Sequence, residues 1–130
     1  MMNLRSLSLC AAVLVMSIAN AFGGAERLPY DANAFQSVLA TGKPILVHVT
    51  APWCRECNVQ KPIVAETAQR PEFKDLTIFN VDFDTQKDAL RQLRVQKQST
   101  LVIYKGKAEV DRAVGITRRE AIEALMQKAL

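Results

Sequence analysis

Two cysteines separated by two residues are the part of this sequence best suited to chemistry. Cys54 and Cys57 lie in the stretch APWCRECN. Thiols at this spacing can form a redox couple, supply half of a metal site, or form a structural disulfide. A disulfide across two intervening residues closes almost no loop, so it removes little entropy from the unfolded chain. Structural stabilisation is therefore a poor explanation for this pair.

The N-terminus indicates the compartment in which these thiols work. Arg5 is followed by an apolar run from Leu7 to Ile18, and Ala19-Asn20-Ala21 supplies small residues that a signal peptidase can cut. This pattern is typical of a secretory signal peptide. We therefore predict a signal peptide at residues 1–21 and an exported, periplasmic domain at residues 22–130; a retained N-terminal anchor is the alternative. Disulfides persist in exported proteins.

Composition argues against several classes of partner. The formal net charge is +4 at pH 7, acidic and basic residues alternate, and aromatic residues are too sparse to suggest stacked bases, so we expect no nucleic-acid partner. Cys10 would leave with the signal peptide, which leaves the mature chain two cysteines and one histidine. A zinc site needs four ligands, commonly Cys or His. We therefore predict no structural metal.

The hydrophobic pattern predicts the elements that position the cysteines. The stretch PILVHVT is apolar on both faces, which suits a buried central strand. A helix is predicted over residues 54–69, with Val59, Ile63 and Val64 facing inward. A second apolar strand, DLTIFNVDF, follows that helix. Strand, helix and strand together form a right-handed parallel crossover.

The C-terminal half predicts a hairpin and a last helix. TLVIY and AEVDRAV flank Lys105-Gly106-Lys107 and indicate two antiparallel strands. Thr117 and Glu120 match a capping box at the start of the last helix. The sequence therefore predicts an α/β fold whose mixed central sheet, flanked by helices, combines a βαβ half with a ββα half.

The junction between the buried strand and its helix gives the two cysteines different roles. Unsatisfied backbone N–H groups and the helix dipole favour anions at a helix N-terminus. Cys54 lies at that end, so we expect its thiolate to be stabilised and its pKa to fall below the ordinary value of ~8.5. Cys57, one turn further on, is close enough to close a disulfide. Cys54 is the predicted nucleophile and Cys57 the predicted resolving thiol.

With these residues in place, the chain resembles the thioredoxin superfamily over nearly all of the predicted mature domain. The stretch ILVHVTAPWCREC is similar to that family's strand and Trp-Cys-x-x-Cys motif. Pro62 falls where the family kinks its active-site helix, and Val114-Gly115 also matches. The likeness is greatest to bacterial exported thioredoxin-like domains, including those that receive electrons from a membrane transporter. The resemblance implies a thioredoxin fold and a redox-active Cys54–Cys57 disulfide.

Two further side chains become site candidates through this resemblance. His48 stands where many thioredoxins have a buried Asp behind the second cysteine, and strand alternation puts it on the same face as Leu46. It is either a neutral core residue or the group that accepts a proton from Cys57, since the unperturbed pKa of imidazole, ~6.5, lies near working pH. Trp53 is expected to pack beside the thiolate and to contact substrate.

Ser99 departs from the family pattern. It stands where the family has a cis-proline that faces the cysteines and presents backbone to an extended substrate. A cis bond before serine costs about 2.5–4 kcal/mol, so we predict a trans Gln98–Ser99 bond and a turn of different shape. The functional hypothesis is altered substrate binding at Ser99; the alternative is a replacement without consequence.

These features predict an exported thiol–disulfide oxidoreductase that exchanges electrons with protein substrates through Cys54 and Cys57. No cofactor is required, because the electrons reside in the cysteines. We expect a monomer that reacts with protein thiols and disulfides and with a membrane partner that donates electrons or generates disulfides. A Cu(I) metallochaperone and a non-catalytic partner-binding domain are the alternatives.

Overall fold

A five-stranded mixed sheet forms the centre of the protein in a computed structural model, which describes residues 23–130. The strands are β1 (Glu26–Pro29), β2 (Ile45–Thr50), β3 (Thr77–Asp82), β4 (Thr100–Lys105) and β5 (Ala108–Val114). The helices are α1 (Ala32–Thr41), α2 (Arg55–Ala68), α3 (Lys87–Leu93) and α4 (Arg119–Gln127). The predicted signal peptide lies outside the described residues. Within residues 23–130, none of the helices combines the length and apolarity needed to cross a membrane.

The strand order is β1-β3-β2-β4-β5. β1, β3 and β2 run parallel, whereas β4 is antiparallel to both β2 and β5. The first three strands and their helices form the βαβ half, and the β4–β5 hairpin with α4 forms the ββα half. The predicted α/β fold class and the predicted division into two halves are both confirmed.

β2 is buried on both faces, as its continuous apolar sequence predicts. Val47 and Val49 pack into a cluster with residues of α1 and α3, while Leu46 packs on the opposite face with residues of α2 and α4. His48 alternates with Val47 and Val49 along the strand and so shares the face of Leu46. His48 therefore faces α2, the helix that begins at the cysteines.

The two ends of helix α1 are set by the residues that cap it. The Oδ1 of Asp31 accepts a hydrogen bond from the backbone N–H of Ala34 at 2.8 Å, which satisfies one of the free donors of the first turn. Gly42 ends the helix with φ 75°, a conformation that costs glycine little. The chain then enters β2 at Ile45 in a register fixed by β3.

Two details of the helix predictions were wrong. Val59, expected to face inward, is 42% exposed, and Gln60 is fully buried in its place. The capping box predicted from Thr117 and Glu120 is absent: Arg118 occupies the N-cap of α4, and no side chain caps that helix. A polar side chain on a helix is ordinarily solvent-exposed. Burial of Gln60 therefore requires hydrogen-bond partners inside the protein.

Candidate active site

Cys54 and Cys57 are joined by a disulfide at the N-terminus of α2, with Cα atoms 5.3 Å apart. Both side chains are buried, at 1% and 0% exposure. They pack with Ala51 and against the partly buried ring of Phe83. The structure therefore brings the two predicted residues together and encloses their sulfur atoms in an apolar setting.

Local backbone geometry makes the two sulfur atoms unequal. Cys54 is the N-cap residue of α2, and its Sγ accepts a hydrogen bond from the backbone N–H of Cys57 at 3.1 Å. The Sγ of Cys57 instead lies 3.9 Å from the carbonyl oxygen of Val49. A donor and the positive end of the helix dipole stabilise negative charge on Cys54, whereas a carbonyl dipole opposes it on Cys57. Cys54 stays the predicted nucleophile and Cys57 the predicted resolving thiol.

His48 is fully buried against α2. Its Nε2 lies 3.0 Å from the Oε1 of Gln60. Burial lowers the pKa of His48 to about 4; the hydrogen bond with Gln60 opposes that shift, and the charges of Arg27 and Lys61 add to it. The imidazole is therefore neutral near pH 7. Its Nδ1 has no hydrogen-bond partner among residues 23–130.

Gln60 is the site residue that sequence reasoning missed. Its Nε2 donates to the backbone oxygen of Ser99 at 3.1 Å and to that of Ile116 at 2.9 Å. Its Oε1 faces His48. One carboxamide thus joins a strand and two loops around the helix. The only available signal was the position of Gln60 three residues after Cys57, which places both side chains on one helix face.

Ser99 adopts a left-handed backbone conformation, with φ 56°. No peptide bond among residues 23–130 is cis, so the predicted trans bond between Gln98 and Ser99 is confirmed. The Ser99 side chain is 4% exposed, and its Oγ donates to the backbone oxygen of Gln98 at 2.6 Å. Its own carbonyl oxygen also accepts the N–H of Gly115, at 3.0 Å. The turn is therefore held from both sides.

Sheet register places Ser99 near the disulfide. Thr100 pairs with Val49 in the antiparallel β2–β4 ladder, so Ser99 falls beside the end of β2. The same end of β2 leads through Ala51 to Cys54. The turn at Ser99 and the N-terminus of α2 consequently lie at the same end of the strands, where β2 ends and β4 begins.

Trp53 lies 59% exposed next to the disulfide. Its Nε1 donates to both carboxylate oxygens of Asp84, at 3.2 and 3.0 Å. Its ring meets that of Phe83 edge-on, with centroids 6.3 Å apart. The turn that carries Asp84 is itself folded by Asp82, whose Oδ1 accepts the N–H of Asp84 at 2.8 Å. These contacts fix the indole while leaving much of its surface open to a partner.

Metal binding was one of the alternatives for the cysteine pair. Residues 23–130 contain no group of three or more His, Cys, Asp or Glu side chains arranged to hold a metal ion. The side chains that pack in one cluster with the two cysteines are apolar, and the two sulfur atoms contact backbone N–H and C=O groups.

Comparison with known proteins agrees with this geometry. The thioredoxin family model matches residues 27–128. Thioredoxin 1 of a Nostoc species is 33% identical over 100 residues, which cover 77% of this chain and 92% of that protein. A bifunctional thioredoxin reductase/thioredoxin of Mycobacterium leprae is 33% identical over 92 residues, or 71% of this chain and 20% of that longer protein. The crystal structure of Trxlp from Edwardsiella tarda aligns with a TM-score of 0.75 and 41% identity, covering 76% of this chain and 96% of that one.

The chain belongs to the thioredoxin family, and its fold is the thioredoxin fold. With a Cys-x-x-Cys disulfide at the N-terminus of α2, it is a thiol–disulfide oxidoreductase that acts on protein thiols and disulfides.

Proposed function

We propose that this protein is an exported, periplasmic oxidoreductase in which Cys54 is the nucleophile, Cys57 the resolving thiol and His48 the proton acceptor. The observation that carries this assignment of roles is the hydrogen bond from the Cys57 N–H to the Sγ of Cys54 at 3.1 Å. It stabilises a thiolate on one sulfur atom only. The mechanism below is written for reduction of a substrate disulfide; oxidation of a dithiol follows the same steps backward.

In the first step, the Cys54 thiolate attacks one sulfur atom of the substrate disulfide. A bond forms between Cys54 and that sulfur atom, the substrate S–S bond breaks, and the departing thiolate takes a proton from solvent. Attack proceeds through the thiolate, so it depends on the stabilisation that the helix N-terminus gives Cys54. The product is a mixed disulfide.

In the second step, Cys57 loses its proton and attacks Cys54. The Cys54–Cys57 bond forms, the bond to substrate breaks, and the second substrate thiolate leaves. Two electrons have then passed from the protein to the substrate. His48 is neutral near pH 7 and its Nδ1 has no partner among residues 23–130, and we assign it the transfer of the Cys57 proton. Because burial disfavours the charged ring, the proton does not stay on His48 but passes on to the departing substrate thiolate.

Trp53 and Ser99 are the proposed substrate contacts. The exposed indole of Trp53 offers an apolar surface next to the disulfide. Ser99 shapes the turn at the same edge of the sheet, where thioredoxins present backbone to an extended substrate. A segment of substrate lying between them would bring its disulfide over Cys54.

The proposed compartment and partners rest on the sequence. The signal-peptide pattern at residues 1–21 supports export. We propose a monomer that exchanges electrons with a membrane protein on the outer side of the inner membrane. Fusing residues 1–30 to a reporter active only outside the cytoplasm tests export, with a Leu14→Arg variant of the apolar run as the control. An inactive fusion would contradict it.

The cysteine roles are tested by an insulin reduction assay with two matched variants. Cys54→Ser should abolish activity and form no mixed disulfide. Cys57→Ser should also stop turnover but accumulate a covalent adduct with substrate through Cys54, visible on a non-reducing gel. An adduct formed by Cys54→Ser and not by Cys57→Ser would reverse the assignment. Equilibration with glutathione buffers would then give the reduction potential and hence the direction of electron flow.

A further inference from the structure

Two polar side chains, His48 of β2 and Gln60 of α2, meet inside the apolar interface between these elements. Gln60 and His48 are both fully buried, and a buried polar group destabilises the protein unless its hydrogen bonds are made. The Gln60 amide uses both of its donors and accepts one bond on its oxygen. These three bonds to separate partners fix the orientation of the side chain.

The orientation of Gln60 determines where His48 carries its proton. The backbone oxygens of Ser99 and Ile116 can only accept, so the NH₂ group of Gln60 must face them. Oε1 then faces Nε2 of His48, and since Oε1 can only accept, Nε2 must be the protonated nitrogen. In the neutral ring this leaves Nδ1 as the free base, and Nδ1 is the atom without a partner.

We propose that Gln60 is a positioning residue that holds His48 in the Nε2–H tautomer and so keeps Nδ1 available as a base. This role deepens the proposed function, because it depends on His48 receiving the Cys57 proton. The backbone carbonyls of Ser99 and Ile116 orient the Gln60 amide, and the amide oxygen in turn sets the tautomer of His48. A ring with its proton on Nδ1 would present a donor at that atom and could not receive the thiol proton there.

The same amide links the base to the rim of the site. Ser99 lies in the turn at the sheet edge beside the disulfide, and Ile116 follows the Gly115 that hydrogen-bonds Ser99. If substrate displaced this turn, the donors of Gln60 would lose their acceptors. Displacement of the Ser99 turn would therefore also release the amide that fixes the tautomer of His48.

Nitrogen NMR of ¹⁵N-labelled protein tests the tautomer directly. Shifts and long-range proton couplings of the ring distinguish a protonated from a bare nitrogen, and His48 is the one histidine of the chain. At pH 7 the parent should show a protonated Nε2 and a bare Nδ1. Gln60→Met, which keeps the length and volume of the side chain but removes all three bonds, should show a mixture of tautomers. A parent protonated at Nδ1 would overturn the proposal without any variant.

Kinetics test whether the tautomer matters for exchange. A mixed disulfide preformed on Cys54 should resolve about twofold more slowly in Gln60→Met for an equal mixture of tautomers, because only rings with a bare Nδ1 can accept the thiol proton. The initial attack by Cys54 should be unchanged. Ile63→Val on the same helix is the matched control, because it lowers stability by loss of one methylene without touching the polar group. Its resolution rate should equal that of the parent.

Two results would refute the role of Gln60: a Gln60→Met protein that keeps the Nε2–H tautomer, or one in which resolution and initial attack slow equally, as in a general structural defect. Failure of the proposed function is separately visible. If His48→Ala resolves as fast as the parent, His48 is not the proton acceptor, whereas the nitrogen shifts still decide whether Gln60 sets the tautomer.

Discussion

The backbone N–H of Cys57 points at the Sγ of Cys54, 3.1 Å away. The backbone of Cys57 therefore stabilises negative charge on the sulfur atom of Cys54. The backbone N–H of Cys54 donates instead to the carbonyl oxygen of Ala51, at 3.1 Å, and the Sγ of Cys57 lies near the carbonyl oxygen of Val49. Identical side chains three residues apart therefore have different electrostatic surroundings, which supports the proposed roles of Cys54 as nucleophile and Cys57 as resolving thiol.

This relationship predicts unequal alkylation of the reduced protein. Near pH 6, iodoacetamide should modify Cys54 at least about tenfold faster than Cys57, because the thiolate is the reacting form. Trypsin cleaves after Arg55, so the two thiols fall on different peptides and can be followed separately by mass spectrometry. Equal rates would contradict the assignment.

The second prediction concerns stability and pH. The pKa of His48 falls to about 4 on folding from an unfolded value of 6.5, so the unfolded state binds more protons between these values. The free energy of unfolding should accordingly decrease as pH falls through this window, by up to about 3 kcal/mol. Above pH 6.5 the contribution should be constant.

Urea denaturation of the oxidised protein between pH 4 and 8 measures this dependence. His48→Asn, which cannot titrate, is the comparison, and its curve should be flatter over the window. Asp82 has a pKa lowered from 3.8, chiefly by the backbone N–H of Thr85, so it acts at more acidic pH. Parallel curves for the parent and His48→Asn would disprove the prediction.

The third prediction follows from the positive φ of Ser99. Ser99→Ala and Ser99→Gly both lose the bond from Oγ to Gln98, but only glycine adopts φ 56° without a steric cost. Ser99→Gly should therefore be more stable than Ser99→Ala by about 1 kcal/mol. Thermal denaturation of the pair checks this order, and a less stable glycine variant would contradict it.

Ser99→Pro gives a fourth prediction. Proline fixes φ near −65°, so it cannot take the conformation observed at Ser99, and the turn would have to rearrange. The variant should lose more than about 1 kcal/mol of stability and release the carbonyl that Gln60 bonds. A variant as stable as the parent, with unchanged kinetics, would show that the left-handed turn is dispensable.

The fifth prediction tests whether the Trp53 indole, held by Asp84, binds substrate. Asp84→Ala removes the charge-assisted bond to the indole, which at this exposed site is worth about 1 kcal/mol. The KM for a protein disulfide should rise about fivefold, with kcat retained. Asp88→Ala makes the same change of charge on α3, where Asp88 pairs with Arg91, and should behave as the parent. Equal effects of the two variants would indicate bulk charge instead of indole positioning.

Much of this molecule could be predicted from local pattern. The continuous apolar run of β2 can be stable only when both faces are covered, and Asp31 and Gly42 bound α1 by chemistry confined to a few residues. The Cys54–Cys57 pair follows from its position at the strand–helix junction. Each of these inferences uses neighbours in sequence.

Gln60 could not be predicted because its partners are remote and its type suggests exposure. Val59 was predicted as the inward residue of that turn because apolar side chains are normally buried. The structure buries Gln60 because three polar groups from β2 and two loops converge on it. At α4, Arg119 forms ion pairs with Glu66 and Glu123, and the expected cap is absent.

The hydrogen bonds of Gln60 also bear on how the chain acquires its activity. They span 12, 39 and 56 residues, whereas the disulfide spans 3. Closing long loops is slow and entropically costly, and closing a short one is fast. A newly made chain can therefore be oxidised long before its two halves meet. Counting free thiols would report such a chain as mature, and only an exchange assay would reveal that it had not finished folding.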